Sequence, residues 1–252
     1  MSRFVSLICL SFLIFMMANA QPSCRFATQF TTNQLLLNAT ARQQYLQNIM
    51  YWEGKFHQHG IGFNFPSGIT YDGHPIDYVT GNITGEPHLF TASSKESIHL
   101  IILAQILNGN SLAQLLISND SNVARSTAIA ILQNKINSYE KFNKMYPGFG
   151  GYFPWVAVND SGMFLLNGWT DQTPALDNGE MIWGLVAIVE VLKNQGYTAL
   201  AQRYQNQLDM MAKYANMMFY AGDGKVRCVV KIRNITAQPY PGNYYDPESP
   251  CW

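Results

Sequence analysis

The chain has 252 residues, and its 16 basic and 16 acidic side chains balance to a formal net charge of zero. It has no basic run, so nucleic acid is excluded as an expected partner. Charged and aromatic residues are equally frequent at 13% each, a balance that fits a neutral ligand such as a carbohydrate and equally any well-packed extracellular domain.

The N-terminus reads as a signal peptide over residues 1–20. Arg3 precedes an uncharged apolar run at residues 4–17, and Ala18-Asn19-Ala20 has the form of a cleavage site, leaving Gln21 first. The run is shorter than the about 20 residues of a comfortable membrane span; the alternative is a signal anchor. A secreted protein with no membrane partner after cleavage is expected. The ~230 residues that remain suffice for one domain or for part of a larger one. Cleavage removes Cys9 and leaves Cys24, Cys228 and Cys251. One disulfide and one free thiol can result, with the pair left open. Sequons at Asn38, Asn82, Asn119, Asn159 and Asn234 support a secretory route, although each alone arises easily by chance.

Helical patterns follow in order. Residues 32–52 place Leu36, Leu37, Tyr45, Leu46 and Ile49 at near-helical spacing. Residues 95–108 are almost wholly apolar after the first turn, which predicts a helix buried on most sides. Residues 122–145 carry Ala128, Ile131, Leu132, Ile136 and Tyr139 on one face. Residues 178–193, stopped by Gly196, and 198–219 complete five predicted helices. Between them, residues 56–92 and 146–174 are rich in Gly, Pro and aromatics. Loops beyond about 12–15 residues are uncommon unless they carry function. Asn159-Asp160-Ser161-Gly162 is a turn signal across which residues 149–158 and 163–169 can pair as a hairpin. Strands do not alternate with helices, which argues against Rossmann and (β/α)8 architectures. The expectation is an all-α fold of antiparallel helix pairs, of which an α/α toroid is one arrangement.

Residues 169–183, reading WTDQTPALDNGEMIW, concentrate the acids Asp171, Asp177 and Glu180 beside Trp169 and Trp183. Carboxylates next to indole rings suit the gripping and hydrolysis of a sugar. The plain alternative is a capping box, with Asp177 at the N-cap and Glu180 reaching back to it. Inverting glycosidases hold their acids about 6.5–9.5 Å apart and retaining ones about 5–5.5 Å. Asp177 and Glu180 lie within one helical turn, so they fit ligand-contacting neighbours as well as a catalytic pair. Upstream, Glu96 and His99 share one face at i,i+3 and could look into a cleft. Against this stand a cap by Ser93 or Ser94 and a core histidine. Tyr71, in a Tyr-Asp-Gly turn, could line the same cleft. Trp155, Trp169 and Trp183 could stack on sugar faces or simply pack. His57-Gln58-His59 has no third ligand nearby and no C-x-x-C occurs, so no metal and no cofactor are expected. No nucleophile elbow, P-loop or dinucleotide fingerprint is present.

These pieces, taken in order, resemble a known family. They are Gly68-Ile69-Thr70-Tyr71-Asp72-Gly73, then Ser94-Lys95-Glu96-Ser97, then Phe149-Gly150-Gly151-Tyr152-Phe153-Pro154-Trp155. Gly168-Trp169-Thr170 and Thr173-Pro174-Ala175-Leu176-Asp177-Asn178-Gly179-Glu180 complete the set. Together they resemble the secreted eukaryotic endo-β-1,2-glucanases, the family 162 glycoside hydrolases, which are related more distantly to bacterial family 144. The Leu-Asp-Asn-Gly-Glu segment is the most specific part.

The resemblance implies an (α/α)6 toroid and inverting hydrolysis of linear β-1,2-glucan without a metal. A glutamate would act as general acid through a substrate hydroxyl, and a distant aspartate would activate water. Asp177 and Glu180 match the motif and are carried over as cleft residues with a catalytic part. Glu248, in Asp246-Pro247-Glu248, falls about where an acid-bearing loop is expected. At roughly 30–35 residues per helix pair, the chain supplies about half a toroid. The family's water-activating aspartate would then lie beyond Trp252, so residues 21–252 are expected to form a partial domain whose own activity is open. The competing functions are a non-catalytic secreted glycan-binding protein and a secreted helical domain with no sugar ligand. Oligomeric state is not legible.

Overall fold

The computed structural model describes residues 22–247. The expected signal peptide, Cys251 and Glu248 lie outside the described residues. Helices dominate. The first two are α1 (Thr32–Leu37) and α2 (Ala39–Phe56). After a long loop come α3 (Ser93–Leu107), the single turn α4 (Ser111–Gln114) and α5 (Ser121–Met145). The last two are α6 (Ala175–Asn194) and α7 (Thr198–Phe219). No helix among the described residues is long and apolar enough to cross a membrane.

The single helix expected over residues 32–52 is two. Thr31 and Gln34 form a reciprocal capping box that starts α1. Asn38 then adopts an extended backbone, and its side chain accepts from the Ala41 N–H to start α2. A second difference concerns the caps of the two helices that bear the candidate acids. Neither has a side-chain cap. The N-cap of α3 is Ala92, and Ser93 is already helical, its hydroxyl donating to Asn178 Oδ1 at 3.1 Å. The N-cap of α6 is Pro174, so Asp177 sits inside the first turn and no Asp177–Glu180 capping box forms. The orphan N–H of Ala175 donates to the Cys228 carbonyl at 2.7 Å instead. A strand leads straight into this helix, and its sheet neighbour supplies the acceptor that a capping side chain would otherwise provide.

The loops contain short antiparallel strands: β1 (Phe63–Asn64), β2 (Ile69–Thr70), β3 (Phe90–Thr91), β4 (Val156–Asn159), β5 (Gly162–Leu165) and β6 (Gln172–Pro174). Further along are β7 (Tyr220–Gly222), β8 (Lys225–Val226), β9 (Val229–Ile232) and β10 (Tyr244–Tyr245). β4 and β5 make the hairpin across the Asp160-Ser161 turn, shorter than the segments expected to pair, and β3 adds to its edge. β9 joins β6 to β10.

Packing sets the geometry of the site. Ser93 meets Asn178, while Ser97 Oγ donates to the Glu180 carbonyl and receives the Gly184 N–H. α3 and α6 therefore start side by side and run parallel. They approach so closely that a Cβ on Gly184 would lie 2.7 Å from the Ser97 carbonyl oxygen. α7 returns antiparallel to α6, and its buried Tyr204 donates to the Leu132 carbonyl of α5. Ile131, Leu132, Ile136 and Tyr139 of α5 are fully buried, as that helix's periodicity predicted. Gly68 turns β1 into β2 with φ +73°, where a side chain would be strained and would collide with the Lys135 backbone of α5.

Candidate functional site

The start of α6 is organised by Asn178, which is fully buried. Its Nδ2 group donates to the carbonyls of Phe153 and Pro174, each at 2.8 Å, and to Thr173 Oγ1 at 3.1 Å. Its Oδ1 accepts from the Phe153 N–H at 2.9 Å and from Ser93. One amide thus ties together the loop before the hairpin, strand β6 and helix α3. A buried amide with its valences filled is a rigid joint, because each broken bond would leave a desolvated group unpaired.

The residues on either side of Asn178 inherit that rigidity. Asp177 is half-buried, and its Oδ2 accepts the indole N–H of Trp155 at 2.8 Å. Trp155 stacks on Trp169 with centroids 4.6 Å apart and planes 19° apart. Phe90 of β3 lies near-parallel to Trp155 at 6.1 Å, and His88 near-parallel to Phe90 at 6.2 Å. The four rings form a file along the edge of the β3–β4–β5 sheet. His88 and Phe90 were missed in the sequence; the signal was the alternation His88-Leu89-Phe90, which puts both rings on one face of a strand.

Glu180 is half-buried, and its carboxylate has no side-chain or backbone partner among the described residues. Leu176 and Trp183 flank it on α6, 76% and 68% exposed. Asp171 stands apart from this group, paired with Lys231 Nζ at 3.6 Å across the β6–β9 ladder. The structure therefore brings together Trp155, Trp169 and Asp177, places Glu180 and Trp183 on the open face of the same helix, and leaves Asp171 at the sheet edge.

Glu96 is in a different situation. It is 1% exposed. Its Oε2 receives Lys135 Nζ and the Tyr139 hydroxyl, both at 2.5 Å, and its Oε1 receives the Thr70 N–H and hydroxyl at 2.8 and 2.7 Å. Four donors satisfy the carboxylate, so the cleft-facing role expected for it is corrected to a structural one: it joins β2, α3 and α5. Burial lowers the Lys135 ammonium from its ordinary range, opposed by Glu96 beside it. Burial, reinforced by Glu96, raises the Tyr139 phenol well above its ordinary value.

His99 is buried and its Nε2 lies 2.9 Å from Nε2 of His57, while its Nδ1 is buried without a hydrogen-bond partner. Burial first and then the charge of Lys135 lower His57 to about 4 and hold His99 well below its ordinary value. Both rings are thus neutral at pH 7. His59 points elsewhere, its Nδ1 accepting the Phe65 N–H. The histidine pair and Tyr71 line a cavity of about 720 Å³ between α2, β2, α3 and α4, whose other walls include Phe63, Ile98, Ile102 and Leu116. Asp72 and Lys95, paired at 2.8 Å, stand at its polar side, and Asp72 also contacts His88 at the end of the ring file. Cys228 is disulfide-bonded and Cys24 is a free thiol.

The model of one family, described as endo-beta-1,2-glucanase SGL, matches residues 69–252. Among solved structures, a mutant endo-beta-1,2-glucanase from Talaromyces funiculosus in complex with beta-1,2-glucan is 35% identical with a TM-score of 0.83. That match covers 90% of this chain and 47% of the other. The Talaromyces funiculosus endo-beta-1,2-glucanase in complex with sophorose is 36% identical with a TM-score of 0.81, covering 89% and 46%. The chain thus spans about half the length of the solved structures it matches. A search of curated proteins gives no match.

Proposed function

This chain belongs to the endo-β-1,2-glucanase SGL family, and from that premise we propose that it acts on β-1,2-glucan as a secreted, inverting glycoside hydrolase that uses no metal. The observation that carries the proposal is the joining of the ring file to the carboxylates at the start of α6. Trp155 is bonded to Asp177 one turn before the partnerless Glu180, in the segment that most resembles the family. Among the described residues, Glu180 is the carboxylate proposed to reach the reacting part of the substrate. Trp169 offers a ring face to a glucose unit, Trp183 and Tyr71 line the approach, and Glu248 is proposed as the general acid from outside the described residues. The parallel α3 and α6, backed by α5 and α7, support a place for the helices in an (α/α)6 toroid of which this chain contributes about half. All five sequon asparagines are exposed, which supports glycosylation along a secretory route.

The file of stacked rings also fits a second reading, a protein that binds the glycan without cleaving it. Incubation with linear β-1,2-glucan, followed by chromatography of the products and NMR of the newly formed anomer, separates the two. Shortened chains released with the inverted anomer support the first reading. Binding with no shortening supports the second, and neither binding nor cleavage overturns both.

A further inference from the structure

We infer that Asp177 is a positioning residue for the aromatic file and not a proton-transfer group. This inference rests on the proposal that the file contacts glucan. The indole N–H of Trp155 donates to Oδ2 of Asp177 at 2.8 Å, which fixes the orientation of that carboxylate. The neighbouring Asn178 fixes the Asp177 backbone through its bonds to Phe153, Thr173, Pro174 and Ser93, all of them buried or half-buried. Trp155 is constrained twice, by Asp177 at its nitrogen and by Trp169 stacked at 4.6 Å. The plane of the Trp169 ring is therefore set by a chain of contacts that begins at the Asp177 carboxylate.

Glu180, three residues along the same helix, has no comparable commitment. A group that exchanges a proton with substrate must be free to approach it; Asp177 has one oxygen held by Trp155, whereas neither oxygen of Glu180 has a partner among the described residues. The pair resembled a catalytic dyad because i,i+3 spacing puts both at one end of the helix. Their side chains have separate tasks.

Asparagine in place of Asp177 supplies a test, because it keeps an acceptor oxygen at the same position and removes the charge. Asp177→Asn, Asp177→Leu and Trp155→Phe are compared with wild type in the full chain. The readouts are near-UV circular dichroism of the stacked tryptophans and titration with sophorose, all at a temperature where far-UV spectra confirm folding. The expected result is that Asp177→Asn keeps the tryptophan couplet and binds sophorose within about twofold of wild type. Asp177→Leu and Trp155→Phe should lose the couplet and weaken binding about tenfold, as loss of one well-oriented stacking ring does.

Two results overturn the inference. In one, Asp177→Asn keeps the couplet but loses binding as fully as Asp177→Leu, which would mean that the charge itself meets the sugar. In the other, Asp177→Leu leaves the couplet intact, which would mean that Trp155 is held without it. Should wild type fail to bind sophorose or β-1,2-glucan at all, the functional proposal fails, while the couplet still decides whether Asp177 positions Trp155.

Discussion

The starts of α3 and α6 resemble each other in sequence and differ in structure. Each has a small polar residue, an acid in or near the first turn and a following apolar run, and the two helices begin side by side. Glu96 on α3 ends in a closed box of four donors from β2 and α5. Glu180 on α6 is half-buried, with no partner for its carboxylate among the described residues, between two exposed apolar side chains. What separates them is the neighbouring element. α5 delivers Lys135 and Tyr139 onto α3, whereas no described side chain bonds the Glu180 carboxylate on α6. An acid at a helix start therefore becomes a structural tie or an available group according to what packs across from it.

Breaking the closed box should give the largest effect. Lys135→Met removes the cation and leaves the buried Glu96 carboxyl without its partner, which costs about 3–5 kcal/mol for a buried ion pair. Urea denaturation at pH 7 measures it, and a loss below about 1 kcal/mol would show that water reaches the box.

The histidine pair beside that box extends the comparison to pH. His57 is lowered from 6.5 to about 4 and His99 well below 6.5, so both stay neutral in the folded protein while the unfolded chain takes up protons below about pH 6.5. The unfolded state then binds more protons, and stability falls as pH drops from about 6.5 toward 4, by on the order of 2–3 kcal/mol from His57 alone. Above pH 6.5 this contribution is fully present. Unfolding free energies across pH 4–8 should show the slope, and the double substitution His57→Asn with His99→Leu should flatten it; an unchanged slope would put the titration elsewhere.

The close contact between the two helices predicts a smaller effect. Gly184→Ala forces a methyl against the Ser97 backbone at 2.7 Å and should cost about 1–3 kcal/mol through overpacking. Thermal unfolding measures it, and no shift in midpoint would mean that α3 and α6 can separate without loss.

Much of this contrast was legible in the chain and part was not. The boundaries of α7 at Thr198 and Phe219 matched the periodic pattern, because that helix is strongly amphipathic. The β4–β5 hairpin followed from its turn residues. The capping box of Thr31 and Gln34 is written in the sequence, and the cap by Asn38 divides what the apolar spacing alone presents as one helix into α1 and α2. The caps of α3 and α6 could not be read locally. Ser93 bonds a residue 85 positions away, and Ala175 takes its acceptor from Cys228. The role of Glu96 was hidden for the same reason: its cation lies 39 residues along. One clue existed, since Lys135 falls on the apolar face of α5 with Ile131 and Tyr139. A lysine on a buried stripe calls for an anion.

Glu180 is proposed to be available to a sugar, while Glu96 is closed. The most direct measurement is the urea midpoint of wild type, Glu180→Gln and Lys135→Met, each with and without saturating sophorose. A ligand that binds the folded state raises the midpoint in proportion to its affinity. Glu180→Gln should keep the sugar-free stability within about 0.5 kcal/mol of wild type and gain less from sophorose. Lys135→Met should fall by several-fold more before sugar is added. A Glu180→Gln protein that unfolds as early as Lys135→Met, or that gains the full wild-type shift from sophorose, would contradict it.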